Sequence, residues 1–137
     1  MFDSLWDFEG EWRLEREIRH SSGDRATLSG KAVLTREEQG LHYHETGTLT
    51  IDGQNPMQAE RRYIWTPVGR RGVQVLFENG RAFHTIFPES PQSRHDCAPD
   101  VYLVQYEFGA WPVWRSHWDV SGPKKAYKMT SCYSRVS

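Results

Sequence analysis

Arg16, Glu45 and Arg61 each interrupt a stretch of alternating residues whose other members on the same face are apolar or aromatic. Arg16 shares its face with Trp12, Leu14 and Ile18, Glu45 with Leu41, Tyr43 and Leu49, and Arg61 with Ala59, Tyr63 and Trp65. Asp100 joins them if the Tyr102, Val104, Tyr106 face of its segment is the inner one. Charge turned toward an interior is costly unless it is paired, so these groups must meet one another, water or a ligand. Tyr43, Tyr63, Tyr102, Tyr106, Tyr127 and Tyr133 add phenolic hydroxyls at alternating positions. One reading is a structural ion-pair network, Arg16–Glu45–Arg61, with the tyrosines as amphipathic filler. The other is a polar and aromatic pocket. Two arginines against one glutamate leave a surplus positive charge, which suits a small aromatic or planar ligand carrying a carboxylate or similar anion. Arg16 or Arg61 would hold the anion through a bidentate fork. Trp65, Phe83, Trp118 and the tyrosines would stack on the ring, with His84 and His95 among the candidate lining residues.

The same inventory admits acid–base catalysis. Desolvation would raise the pKa of a buried Glu45 and a neighbouring Arg16 or Arg61 would lower it. Such opposed pressures can leave a carboxyl group able to exchange a proton near neutral pH, with Tyr43 beside it. Metal binding has less to stand on. His84, His95 and Cys97, with Asp96 and Asp100 near, contain no zinc-ligand spacing, so no metal is expected. The simpler expectation is a His95–Asp100 hydrogen bond at the turn. Haem would need an axial ligand from His84, His95 or His117, and no further haem signature is present. No cofactor is therefore expected. A serine nucleophile lacks its Gly-x-Ser-x-Gly elbow, and neither Cys97 nor Cys132 has an evident base.

The elements that must position these groups are strands. Period-2 alternation covers 12–19, 26–34, 41–51 and 57–65, and further strands are expected at 73–78, 81–87, 100–108, 114–121 and 125–135, with a short one possible at 94–97. Asp52-Gly53 and Asn79-Gly80 are two-residue hairpin signals, and 21–24, 38–40 and 67–72 are turn clusters. The only helical candidate is 3–8, placed to plug one end. The expected fold is all-β: one domain over 1–137, a single antiparallel up-and-down barrel of 8–10 strands, with a sandwich as the competitor. Ala26, Gly30, Ala32, Gly47 and Ala59 are small inward residues, so an open lumen should lie beside the second to fourth strands. Trp111 falls in a loop, as a lid, a contact patch for a partner or second copy, or a packed corner.

Composition supports a folded chain. In 137 residues, 37% are hydrophobic, but Trp, Tyr and Phe occur six times each, and each such ring buries about 150–250 Å². No apolar run reaches the ~18 residues of a membrane helix, and no signal peptide is read at the start. A net charge of −1 offers no footprint for nucleic acid, and two cysteines imply no disulfide framework. The expected setting is cytoplasmic.

The Gly10-Glu11-Trp12 start after an aromatic plug resembles the calycin superfamily, which includes lipocalins and fatty-acid-binding proteins. That resemblance implies a Trp12 packed at the barrel base under a basic residue of the last strand, here Arg135. More closely, the chain is similar to an uncharacterised calycin-like family of bacteria and fungi. Gly10-x-Trp12-x-Leu14-x-Arg16, Leu41-x-Tyr43-x-Glu45-x-Gly47, Arg61-x-Tyr63-x-Trp65, Gly80-Arg81-x-Phe83-His84, His95-x-Cys97-x-x-Asp100-x-Tyr102 and Trp111-Pro112-x-Trp114 carry it. The resemblance implies a fold but no activity. Certain calycin-fold lyases set a glutamate, an arginine and paired tyrosines around a phenolic acid, an inventory similar in kind to Glu45, Arg61, Tyr43 and Tyr63. Small-molecule binding is thus the first expectation, with a lumen lyase, isomerase or cyclase as the alternative.

Overall fold

A computed structural model of the chain describes residues 2–89 and 91–136. Ten antiparallel strands follow one short 3₁₀ turn, Leu5–Phe8. They are β1 (Gly10–His20), β2 (Arg25–Arg36), β3 (Leu41–Ile51), β4 (Met57–Val68) and β5 (Gly72–Phe77), then β6 (Ala82–Ile86), β7 (Gln92–Cys97), β8 (Asp100–Ala110), β9 (Val113–Ser121) and β10 (Ala126–Arg135). Their order around the sheet is β6-β5-β4-β3-β2-β1-β10-β9-β8-β7, an up-and-down meander in which β1 pairs with both β2 and β10. Alternation decides the faces: along β1, Trp12, Leu14 and Arg16 are buried while Arg13, Glu15 and Glu17 are exposed.

The barrel is nearly rather than fully closed. β6 and β7, its two edges, share no ladder, and the Thr85 N–H to Ser93 Oγ bond at 3.3 Å links them. Both are short, and an irregularity in the β5–β6 register between Val75 and Leu76 turns the edge, as bulges do. The same bulge breaks alternation so that consecutive Phe83 and His84 are both buried.

One end is solid. Phe2, Phe8, Trp12, Phe108, Trp111 and Trp114 pack at tilted and edge-to-face angles, with centroids 4.8–5.7 Å apart in the contacts Phe2–Phe8, Phe2–Phe108, Phe8–Trp111, Phe8–Trp114 and Trp12–Trp114. The Asp7 carboxylate ties the start of the plug by accepting from the backbone N–H of Asp3 at 2.7 Å. Arg135 lies over the Trp12 ring at 4.0 Å and donates to the carbonyls of Glu9 and Asp7 at 2.7 and 2.8 Å. Trp111 is therefore a packed corner of the closed base, not a lid over the lumen. The other end is the mouth. Burial falls along the inward face of β4 from Trp65 at 3%, through half-buried Tyr63, Arg61 and Ala59, to Met57 at 45%, which has passed the rim.

Turns differ from the expected two-residue hairpins. Asp52-Gly53 begins a longer connection, Asp52 to Pro56, and Asn79-Gly80 sits within Glu78 to Arg81. Gly53 and Gly80 supply the positive φ these turns need, at 78° and 87°. β4 also runs on to Val68, so its turn to β5 is shorter than the 67–72 cluster implied. The small residues on β2 and β3 have a different role from an open lumen. Gly30 pairs with Gly47, and a Cβ on Gly30 would overlap the Thr46 carbonyl oxygen and lie 2.5 Å from Gly47 Cα. Gly30→Ala is expected to cost about 1–3 kcal/mol by forcing two strands apart, read as a lower urea midpoint with unchanged m-value.

Candidate functional site

The site is the middle and upper lumen, above the aromatic base. Arg16 from β1 and Glu45 from β3 meet across β2, where the register sets Gly30 midway between the partners of the two residues. Arg16 Nη1 and Nη2 donate to Glu45 Oε2 and Oε1 at 2.6 and 2.9 Å, and Arg16 Nε donates to Ser131 Oγ at 2.7 Å. Both side chains are almost fully buried, at 4% and 2% exposure. The space left by small β2 and β3 residues is thus filled by an ion pair.

Tyr43 donates its hydroxyl to Glu45 Oε1 at 2.6 Å and lies 2.8 Å from the Tyr133 hydroxyl. Tyr133 in turn stacks on Trp114 at 3.8 Å. Burial pushes the phenols of Tyr43, Tyr106 and Tyr133 up, so all three stay protonated. Burial also presses the Glu45 carboxyl upward, but the Arg16 fork, the Tyr43 hydroxyl and the charge of Arg61 outweigh it and hold the group below its ordinary value. The opposed pressures expected on Glu45 do not balance near neutrality. It is a fixed carboxylate.

Arg61 does not join that network by contact. It is half-buried on β4 opposite Glu45, its guanidinium 5.7 Å from the Trp118 ring centroid, and no ion pair to it occurs among the described residues. Its positive charge also lowers the rise that burial imposes on the Tyr63 phenol. His84 is buried on β6, with Nε2 2.9 Å from the Tyr106 hydroxyl, and burial and then nearby His95 push it down to about 3.

These groups enclose a cavity of about 20 Å³. Arg16, Tyr43, Glu45, Arg61, Tyr63 and Trp65 line it from one side, and His84, Tyr106, Trp118 and Tyr133 from the other. Val75 and Ser116 complete the wall. Neither stood out in the sequence, although Ser116 alternates with Trp114 and Trp118 on the buried face of β9. Phe83 joins the cavity wall to His95 and Tyr102 higher up, with centroids 4.5 Å from His84 and 5.3 Å from Trp118 on one side and 5.2 Å from His95 and 5.5 Å from Tyr102 on the other. Tyr127 packs against His20 near the mouth at 5.6 Å. Asp100 bonds with neither His95 nor the lumen arginines; its carboxylate stands 3.2 Å from Lys125 Nζ, which also donates to the Tyr102 hydroxyl. The expected His95–Asp100 bond is replaced by this rim ion pair, because the β9–β10 connection brings a full cation closer. Cys97 is exposed, and among the described residues no three His, Cys, Asp or Glu side chains cluster as a metal would require. His117 lies on the outer wall against Glu107 and Thr130.

Solved structures include chains of similar fold. S-type phycobiliprotein lyase CPES from Guillardia theta superposes with a TM-score of 0.62 and 8% identity, over 97% of this chain and 90% of that one. At that identity the likeness is one of fold. A de novo designed fluorescence-activating β-barrel gives 0.49 and 11% identity, over 99% of this chain and 100% of the design. No helix among the described residues is long and apolar enough to cross a membrane. No curated protein sequence matches the chain. A family model does, over residues 8–135, and the chain belongs to that family, one of unknown function designated DUF6314.

Proposed function

We propose that the protein is a calycin-like barrel that binds a small aromatic molecule carrying a carboxylate or similar anion, with Arg61 as the anion-binding residue. The observation that carries this reading is Arg61 itself. It is a half-buried cation beside Trp118 and Tyr63 with no carboxylate in ion-pair distance among the described residues. Arg16, the other arginine considered, already spends its fork on Glu45. Tyr63, Phe77, Tyr102 and Tyr127 are the partly buried rings available to an aromatic guest in the upper lumen. The Arg135–Trp12 contact at the base supports the calycin-like assignment. We assign the protein to the cytoplasm, since Cys97 and Cys132 are both free thiols.

Cinnamate and its methyl ester distinguish anion recognition from simple apolar partition, by quenching of tryptophan emission. Cinnamate is expected to bind more tightly than the ester, and Arg61→Met is expected to weaken cinnamate about 10–100-fold, the worth of a charged hydrogen bond. Equal affinity for both compounds, or an unchanged Arg61→Met protein, overturns the reading.

A lyase, isomerase or cyclase is the second reading, favoured by the Tyr43–Tyr133 hydroxyl pair on Glu45. Its mark is turnover that Tyr43→Phe abolishes while binding persists. The fixed carboxylate of Glu45 stands against a role as proton donor.

A further inference from the structure

Arg61 and Trp118 divide the lumen between its closed base and its mouth. β4 and β9 stand five places apart in the strand order whichever way round the barrel is followed, so a contact between them crosses the lumen. Arg61 on β4 makes that crossing, its guanidinium carbon 5.7 Å from the centre of the Trp118 ring on β9. Phe83 on β6 extends the partition, its ring centred 5.3 Å from Trp118 and 5.8 Å from Tyr63. Burial raises the Tyr127 phenol on β10, and the charge of Arg61, reaching over from β4, opposes that rise.

The inner cavity stops at this partition. On β4 its wall consists of Arg61, Tyr63 and Trp65, and on β9 of Ser116 and Trp118, whereas the next inward residues toward the mouth, Ala59 and Val120, lie outside it. The space beneath is about 20 Å³, room for about one water, against roughly 150 Å³ for a cavity that takes benzene. An aromatic guest therefore cannot pass below Arg61 without unpacking the core. Above Arg61, β4 turns two more residues inward, half-buried Ala59 and the exposed Met57 at the rim. Met57 is four residues on, about 13 Å along the strand and roughly 10 Å in height at the usual barrel tilt. That depth takes one ring and its acid arm. The rim carries both signs, with Lys125 Nζ 3.2 Å from the Asp100 carboxylate, and so selects no charge in what passes it.

We propose that the Arg61–Trp118 partition is the floor of the binding site, and that the protein recognises an aryl carboxylate as the end-group of a larger molecule. The acid meets Arg61 at the floor and the ring lies beside Tyr102 and Tyr127. Its para position opens through the mouth, so the rest of the molecule stays outside the barrel. The inference rests on the reading of the lumen as an aromatic-anion site and adds the direction and depth of the guest.

Two cinnamates carrying a diethylene glycol chain, one at the 4-position and one at the 2-position, differ only in where the chain leaves the ring. By calorimetry on the unmodified full chain, the 4-isomer is expected to bind within about threefold of cinnamate itself. The 2-isomer is expected to bind about tenfold or more weakly, because its chain must press on the lumen wall. Ala59→Phe fills the place of the guest's ring above the floor, and should weaken cinnamate about tenfold or more with Arg61 untouched. A 4-isomer about tenfold weaker than cinnamate, two isomers of equal affinity, or an Ala59→Phe protein that binds as before each overturns the floor. If cinnamate still depends on Arg61 in those cases, the anion site stands without it. Cinnamate binding indifferent to Arg61→Met, or no cinnamate binding at millimolar concentration, overturns the anion reading and this inference with it.

Discussion

Glu45→Gln is expected to be among the most destabilising single substitutions in the lumen, at about 3–5 kcal/mol, because it leaves the Arg16 guanidinium buried without a counter-charge. Arg16 cannot shed its proton, and Glu45 together with burial decides its state in opposite directions, the Glu45 contacts prevailing. Arg16→Met leaves the opposite orphan, but a carboxylate can neutralise itself by taking up a proton. The two variants should therefore part company with pH. In the unmodified protein Glu45 lies below its ordinary pKa, so its contribution is present above that value and is lost as pH falls through the folded one. In Arg16→Met the remaining desolvation raises Glu45 above its unfolded value, so that variant gains stability as pH falls toward the unfolded pKa. Arg16→Met combined with Glu45→Leu should recover most of the loss, since two apolar groups leave no charge buried. Urea midpoints of the four proteins at pH 7 and pH 5 decide it. Equal and small losses in both singles at both values would mean that water reaches the pair.

Acidification is expected to unfold the barrel through His84. Above about pH 6.5 both the folded and unfolded chains hold this imidazole neutral, and the stability it allows is fully present. Below that, the unfolded chain takes up a proton which the folded one refuses down to about 3, where burial and His95 have pushed the group. Stability should fall across that window by about 1.4 kcal/mol per pH unit from this residue alone. Phe83, Tyr106 and Trp118 surround the ring and offer no carboxylate to offset the charge. His84→Phe removes the slope between pH 6.5 and about 5.5, the stretch above the range in which the unfolded chain begins to protonate Glu45. A variant that keeps the wild-type slope would move the acid sensitivity elsewhere. A proton resonance of His84 titrating near 6.5 would show the ring to be solvated.

The strand architecture was readable because alternation is a local property. A residue two places along from Trp12 or Leu41 must face the same way, so Arg16, Glu45 and the tyrosines could be assigned to the interior from spacing alone. Turn composition was less reliable. Asp52-Gly53 and Asn79-Gly80 marked where the chain reverses but not how long the connection is, which depends on where the strands stop pairing. Phe83 and His84 fell outside the alternation rule altogether. Both are buried, since the β5–β6 register skips Phe83 between Ala82 and His84, and no local pattern encodes a bulge of that kind.

By itself the sequence determined an all-β chain, the inward set of charged and phenolic groups, the aromatic plug, and the pairing of Arg135 with Trp12 that its family resemblance implied. Tertiary structure decided which of the inward groups meet. Period-2 spacing names a face but not the partner across a lumen, which follows from register, from barrel curvature and from the volumes of the residues between. Gly30 lies midway beneath the span from Arg16 to Glu45, so that pair closes and Arg61 is left without a carboxylate among the described residues. The same packing fills most of the lumen, leaving about 20 Å³. Volume and hydrogen-bond satisfaction are sums over many strands at once, and for that reason only the folded barrel could express them.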